Sequence, residues 1–144
     1  NLLTVIETMV DYIRQRASGK VEFTVHQPEG TNITATISVP LFDWVLENLL
    51  KNALDAMDGS GRIDIYINQQ GDHPYIDVKD TGKGIPSSKF KTVFAPGFST
   101  KQRGWGLGLS LSKRIIENYH NGKIFVKESV LGKGTTFRII LNKK

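Results

Sequence analysis

The sequence contains no cysteine. Disulfides, thiolate nucleophiles and cysteine-ligated zinc are thereby excluded, and a reducing, cytoplasmic setting is the natural expectation. Long apolar runs are missing too. No stretch reaches the roughly 18 consecutive residues of a membrane span, so no direct membrane contact is expected. The opening "NLLTVIETMV" lacks the basic start of a secretory signal and is interrupted by Glu7. A basic stripe is also absent: 19 Lys and Arg against 14 Asp and Glu leave a charge of +5, but the cations are scattered. That pattern argues against a nucleic-acid-binding surface. There is no internal repeat and no low-complexity tract. What remains, 144 residues of which 39% are apolar, suffices for one globular domain with a real core. The chain opens directly in helical periodicity, with no starting Met and no evident cap, so it is expected to continue upstream.

Leu2, Ile6, Met9, Val10 and Ile13 recur at helical spacing and predict a helix over 2–16, ended by Ser18 and Gly19. "KVEFTVHQ" alternates as a strand, and "ITATISV" (33–39) alternates as its expected hairpin partner, closed by Pro40. A second helix is predicted over 41–57, strands over 62–69 and 75–80 around Gly71-Asp72, and a third helix over 107–120. Two further strands follow, 123–129 and 134–141. Between them, 81–106 reads as a long glycine-rich loop with a short helical piece near 86–93. So long a loop inside a compact domain usually marks a lid or binding segment. The expected fold is α+β: a two-layer sandwich of a mixed, mostly antiparallel sheet with about three helices on one face.

Four stretches carry chemistry. In "ENLLKNALDAM", residues turning about 100° apart place Asn48, Lys51, Asn52 and Asp55 on one face. Phe42, Leu46, Leu49, Leu50, Ala53 and Met57 lie on the other. The polar face is either plain solvated surface or a pair of amide oxygens for a hard cation such as Mg²⁺. "DTGKGIP" (80–86) follows a strand. It is a tight turn with an aspartate cap, or a place where Gly82 and Gly84 let a ligand approach and Asp80 accepts from an exocyclic amine. "FAPGFSTK" (94–101) sets two phenylalanines around a rigid Pro-Gly corner, then offers Ser99, Thr100 and Lys101. The phenylalanines would equally serve as core anchors. "GWGLGLSLSK" (104–113) puts Gly104, Gly106 and Gly108 at a helix start, where free N–H groups bind anions, with Leu107, Leu111, Ile115, Ile116 and Tyr119 as its expected core stripe. No GxxxxGK[ST] occurs, and the GxGxG spacing follows no strand, so P-loop and dinucleotide-fold readings both fail.

Taken in order, these stretches resemble the ATP-binding catalytic domain of sensor histidine kinases, within the wider group that includes gyrase-type, heat-shock chaperone and mismatch-repair ATPases. The N box resembles "NLLKNA" (48–53), the first glycine box "DTGKGI", the F box "FAPGFSTK" and the second glycine box "GWGLGLSLSK"; "GKGTTFRIIL" (132–141) resembles the closing turn and strand.

The resemblance implies an ATP and Mg²⁺ site, and it implies phosphoryl transfer to a histidine. Asn48 and Asn52 would hold the metal, with Lys101 a third catalytic group. Asp80 would meet the adenine amine, Gly82, Gly84 and Ile85 would border the base, and Thr135 would lie in the pocket floor. Phe94, Ser99, Thr100, Lys101 and Gly104 would belong to the lid, and Gly106, Leu107, Gly108 and Leu109 would close over the phosphates. Lys51 and Asp55 would complete the polar face. His26, His73 and His120 lack the acidic helical context of a phosphoacceptor. The acceptor is therefore expected on a dimerisation domain upstream of Asn1, in a homodimeric parent that serves a response regulator. Three departures stand out. Asn48 occupies the place of the glutamate base of gyrase-like ATPases, Asp55 replaces a frequent lysine, and Trp105 a small residue. A hydrolytic ATPase and a non-catalytic module of the same fold are the rival readings.

Overall fold

The computed structural model describes residues 1–17, 19–96 and 108–143. The first helix, α1, runs Leu2–Arg14 and buries Leu2, Ile6, Val10 and Ile13. Its cap is the first residue: the Asn1 side-chain oxygen accepts the Leu3 N–H at 2.8 Å. One of the free donors at the helix start is thereby satisfied, so the helix that looks uncapped in the sequence is capped.

Strand β1 (Val21–His26) follows, then α2 (Val39–Met57). Pro40 does not close a strand. It sits in the first turn of α2, where its missing N–H costs nothing. The expected hairpin of 33–39 with β1 does not form. Instead β1 runs parallel to β2 (Gly61–Gln70), from Val21↔Gly61 to His26↔Tyr66, and α2 is the crossover that a parallel pair requires. Residues 33–38 form an extended strap. Ile33 O accepts the Leu2 N–H, and the Thr36 N–H donates to Asn142 O, each at 3.1 Å. Its alternation reports one side packed on the core, Ile33 buried with Ala35 and Ile37 behind it, rather than a strand partner.

β3 (His73–Asp80) is antiparallel to β2, and β5 (Gly134–Ile140) lies between β3 and β4 (Lys123–Val130). The five-stranded order is β1-β2-β3-β5-β4, antiparallel except for β1. Ile63, Ile65, Ile67, Ile76, Val78, Phe137 and Ile139 point to the buried side and meet the α2 stripe of Phe42, Val45, Leu46, Leu49, Leu50, Ala53 and Met57. On the opposite face two nearly buried aspartates are neutralised in place. Asp64 meets His26 Nε2 at 2.8 Å and Arg62 Nε at 3.0 Å; Asp77 takes a two-pronged contact from Arg138 at 2.7 and 2.9 Å.

The long loop carries two single turns of 3₁₀ helix, Ser87–Lys89 and Thr92–Phe94. The third helix, α3 (Gly108–Arg114), widens into a π turn over Ile115–Tyr119. The expected stripe is corrected on both sides of that turn. Ile115 and Ile116 are both buried, whereas Leu111 is 38% and Tyr119 68% exposed, and Ser112 is fully buried in place of Leu111. Leu107 lies outside the described residues.

Candidate functional site

α2 is the spine of the site. Asn48 and Asn52, one turn apart, are half-buried on the side away from the core stripe. The Asn48 Nδ2 donates to Ser112 Oγ at 3.2 Å. Gly108 lies so close to the same amide that a Cβ there would overlap the Asn48 oxygen. The first turn of α3 is thus seated on Asn48, and Ser112 is buried because it pairs with that amide. Leu109 packs partly buried against the core. Lys51 pairs with Glu47 at 3.0 Å and stays largely exposed, an arrangement of small energetic weight. Asp55 is exposed and lines a cleft of about 320 Å³ with Arg16, Ala17, Val21, Leu54, Asp58 and Gly59, at the C-terminal end of α2.

Asp80 ends β3, directly between Ile63 of β2 and Thr135 of β5. Its exposure is 4%. The Gly82 N–H donates to its Oδ1 at 2.8 Å. Burial pushes the carboxyl above the usual aspartate value, and the backbone N–H groups of Gly82 and Thr135 oppose that shift. Among the described residues no cation faces it. Among the described residues the other two buried carboxylates, Asp64 and Asp77, are paired with charged groups, whereas Asp80 is held by backbone N–H groups.

The glycine loop after Asp80 is wedged between two elements. Gly82 packs on Ala56 of α2, where a Cβ would come within 2.7 Å of the Ala56 side chain and carbonyl, and the Lys83 N–H donates to Ala56 O at 3.0 Å. Gly84 has φ +82° and lies against the backbone of Val130 and Leu131. Both glycines therefore have a packing reason of their own. The β4–β5 turn grips the loop from the far side: the Gly132 N–H donates to Lys83 O at 2.8 Å, and the Ile85 N–H to Ser129 Oγ at 2.6 Å.

Phe94 is a core residue, edge-on to Phe137 at 6.0 Å and under the Lys113 ammonium at 5.9 Å. Ser99, Thr100, Lys101, Gly104, Trp105, Gly106 and Leu107 lie outside the described residues. The structure therefore brings Asn48, Gly108 and Leu109 together at the α2–α3 contact. It gathers Asp80, Gly82, Gly84, Ile85 and Thr135 around the end of β3, and places Lys51 and Asp55 on the exposed side of α2.

Sequence reasoning missed Ser112, Ala56 and Ser129. A lone serine in an apolar helical stripe is the signal for the first. The third is masked by an irregularity between Val126 and Glu128, which shifts the alternation of β4 and turns Ser129 inward. The three histidines are each engaged. His26 stacks on Tyr66 and meets Asp64, His73 Nδ1 lies 3.3 Å from Leu141 O, and His120 is buried between Ile115 O and the Ser38 N–H. Among the described residues no group of three or more His, Cys, Asp or Glu is placed to hold a metal ion, and no helix is long and apolar enough to cross a membrane.

Residues 37–144 match the family described as "Histidine kinase-, DNA gyrase B-, and HSP90-like ATPase". Sporulation kinase E of Bacillus subtilis (strain 168) is 46% identical over 98 residues, covering 67% of this chain and 13% of that protein. The signal transduction histidine-protein kinase AtoS of Escherichia coli (strain K12) is 46% identical over 102 residues, 70% of this chain and 16% of that one. The chain thus spans well under a quarter of the length of these relatives. Among solved structures, the catalytic domain of histidine kinase ThkA superposes with a TM-score of 0.82 at 28% identity, over 99% of this chain and 95% of that one. The mycobacterial sensor histidine kinase MprB gives 0.83 at 25% identity, with the same coverage. The strand order, the seating of α3 on the N-box helix and the buried aspartate before the glycine loop agree with what these similarities show: the chain belongs to this family, as an ATP-binding catalytic domain of the histidine kinase type.

Proposed function

We propose that the chain binds Mg²⁺–ATP between α2, the glycine loop and the 97–107 segment. Within its parent protein it would present the γ-phosphate to a histidine on a separate dimerisation domain, for relay to a response regulator. The observation that carries this reading is Asp80: a desolvated carboxylate at the end of β3, held by two N–H groups and facing no cation among the described residues. Burying such a group is costly unless it is used, and a carboxylate acceptor fits the exocyclic amine of adenine. The donor set suits the remainder. Asn48 and Asn52 offer neutral amide oxygens of the kind Mg²⁺ accepts alongside phosphates and water. The metal when bound supplies charge neutralisation for a phosphoryl transfer that otherwise needs mainly positioning.

The chain's own residues do the positioning. Asp80 orients the base, Ala56 and the β4–β5 turn fix the loop beneath it, and Asn48 seats the α3 end whose N–H groups would face the phosphates. Lys101, Ser99 and Thr100 would add charge and hydroxyls from the lid. Position 48 is an amide and takes no proton from water, and Glu47 points about 100° around the helix from it. That favours transfer to a protein acceptor over hydrolysis.

The test is titration of the chain with Mg²⁺ and a non-hydrolysable ATP analogue. We expect saturable binding that Asp80→Asn weakens about 100-fold or more, since the amide presents a donor or a weaker acceptor to the amine. Equal binding by the variant would remove the basis of the proposal. We further expect little ATP turnover by the chain alone, and phosphate transfer on adding the parent's histidine-bearing domain.

A further inference from the structure

Ser129 lies outside every motif that points to the nucleotide, yet its hydroxyl joins the glycine loop to the start of β5. The Ile85 N–H donates to it at 2.6 Å, Gly134 O lies at 3.0 Å and Thr135 Oγ1 at 2.8 Å. A serine hydroxyl has one proton and two lone pairs. Gly134 O is a carbonyl and only accepts, so the single proton goes there. Ser129 then accepts twice, from the Ile85 N–H and from the Thr135 hydroxyl. The opposite assignment would set two lone pairs against each other at the Gly134 contact. With its proton committed to Ser129, the Thr135 hydroxyl turns lone pairs to its other side. Thr135 is 5% exposed and sits directly across the sheet from Asp80.

We infer that Ser129 is a positioning residue that sets base specificity. It fixes Thr135 as an acceptor beside the Asp80 carboxylate, so the floor reads a two-donor amine and rejects a carbonyl oxygen in that place. It also tethers the glycine loop at Ile85, which keeps that acceptor pair in register with the loop. The inference rests on the proposed adenine site and goes beyond it. Discrimination of a 6-amino from a 6-oxo purine depends on a hydroxyl that need not touch the ligand.

The 144-residue chain and its Ser129→Ala, Ser129→Thr and Thr135→Val variants are titrated with Mg²⁺ and non-hydrolysable analogues of ATP and GTP. Thermal melts verify folding. The wild type is expected to favour the adenine analogue, and Ser129→Ala and Thr135→Val each to shrink that preference about fivefold or more, as expected when one oriented hydrogen bond is lost. Ser129→Thr, which keeps the hydroxyl, is expected to restore it. A purely structural role would lower both affinities together and leave their ratio alone. Folded variants with the wild-type ratio overturn the inference, as does a wild type that binds both analogues equally. If Ser129→Ala does not fold, Thr135→Val decides, since it leaves Ser129 bonded to Ile85 and Gly134. A wild type that binds neither analogue refutes the nucleotide reading itself.

Discussion

At the scale of the residue, Asp80 sets binding against stability. Its folded carboxyl titrates above the ordinary aspartate value because burial disfavours the charge. A raised acid favours the fold while protonated. Its contribution is therefore fully present below the unfolded value near 3.8 and is lost as pH rises through the folded one. Asp80→Asn removes that loss, and its oxygen can still accept the Gly82 N–H. Thermal melts should show the variant equal to wild type at pH 3 to 4 and equally or more stable at pH 7. A variant less stable at pH 7 would mean that the carboxylate is held for folding rather than for a ligand. The neighbouring glycines are bound by packing as well: Gly82→Ala would press on Ala56, an overpacking that costs about 1–3 kcal/mol and reads as a lower urea midpoint.

At the scale of the element, α2 and α3 act as a pair joined at both ends. Asn48 holds the start of α3 through Ser112, and His120 holds its far end. The His120 Nε2 accepts the Ser38 N–H at 3.0 Å, which places the ring proton on Nδ1, toward Ile115 O at 3.0 Å. His120→Ala should cost about 3 kcal/mol, combining a buried ring with two orphaned backbone groups. Chemical denaturation measures it, and a loss below about 0.5 kcal/mol would show the joint to be incidental.

What the sequence makes legible at this scale depends on whether the signal is local. The α2 stripe and the alternation of β2, β3 and β5 are set by one buried face each, and they appear where expected. The 33–39 alternation is real but carries no partner information, because a strap on the core and a strand hide the same residues. The stripe of α3 fails already at Leu111, because the buried side runs through Ser112 to Ile115 and Ile116, and the π turn beyond leaves Tyr119 exposed. Of the site, the Asp80–Ile85 and Asn48–Asn52 motifs are visible as short patterns. Ser112 shows only as a serine within an apolar stripe and Ser129 not at all, because their partners Asn48 and Ile85 lie 64 and 44 positions away.

At the scale of the whole molecule, one apolar layer is shared by the helices and the sheet. Leu2, Ile6, Val10, Ile13, Val21 and Phe23 lie before residue 37, where the family match begins, yet they belong to the same buried cluster as α2 and the sheet. A chain cut at residue 37 should therefore lose cooperative melting rather than yield a smaller stable domain. On the outer face of the sheet, Arg62, Arg138 and Lys127 are engaged by Asp64 and Asp77. Part of the positive balance is spent internally and presents no basic field to a partner.

The strap has one more consequence. Ile33 holds the backbone at Leu2 and Thr36 holds it at Asn142. Three residues span at most about 10 Å, so the two ends of the described chain are moored side by side. Joining them through a short Gly-Ser link, and opening the chain instead between Glu29 and Gly30, should give a circular permutant with the same sheet. Its far-ultraviolet dichroism should match the parent's, with a melting temperature within about 10 °C. The order in which the elements are written along the chain would then be separable from the architecture they build.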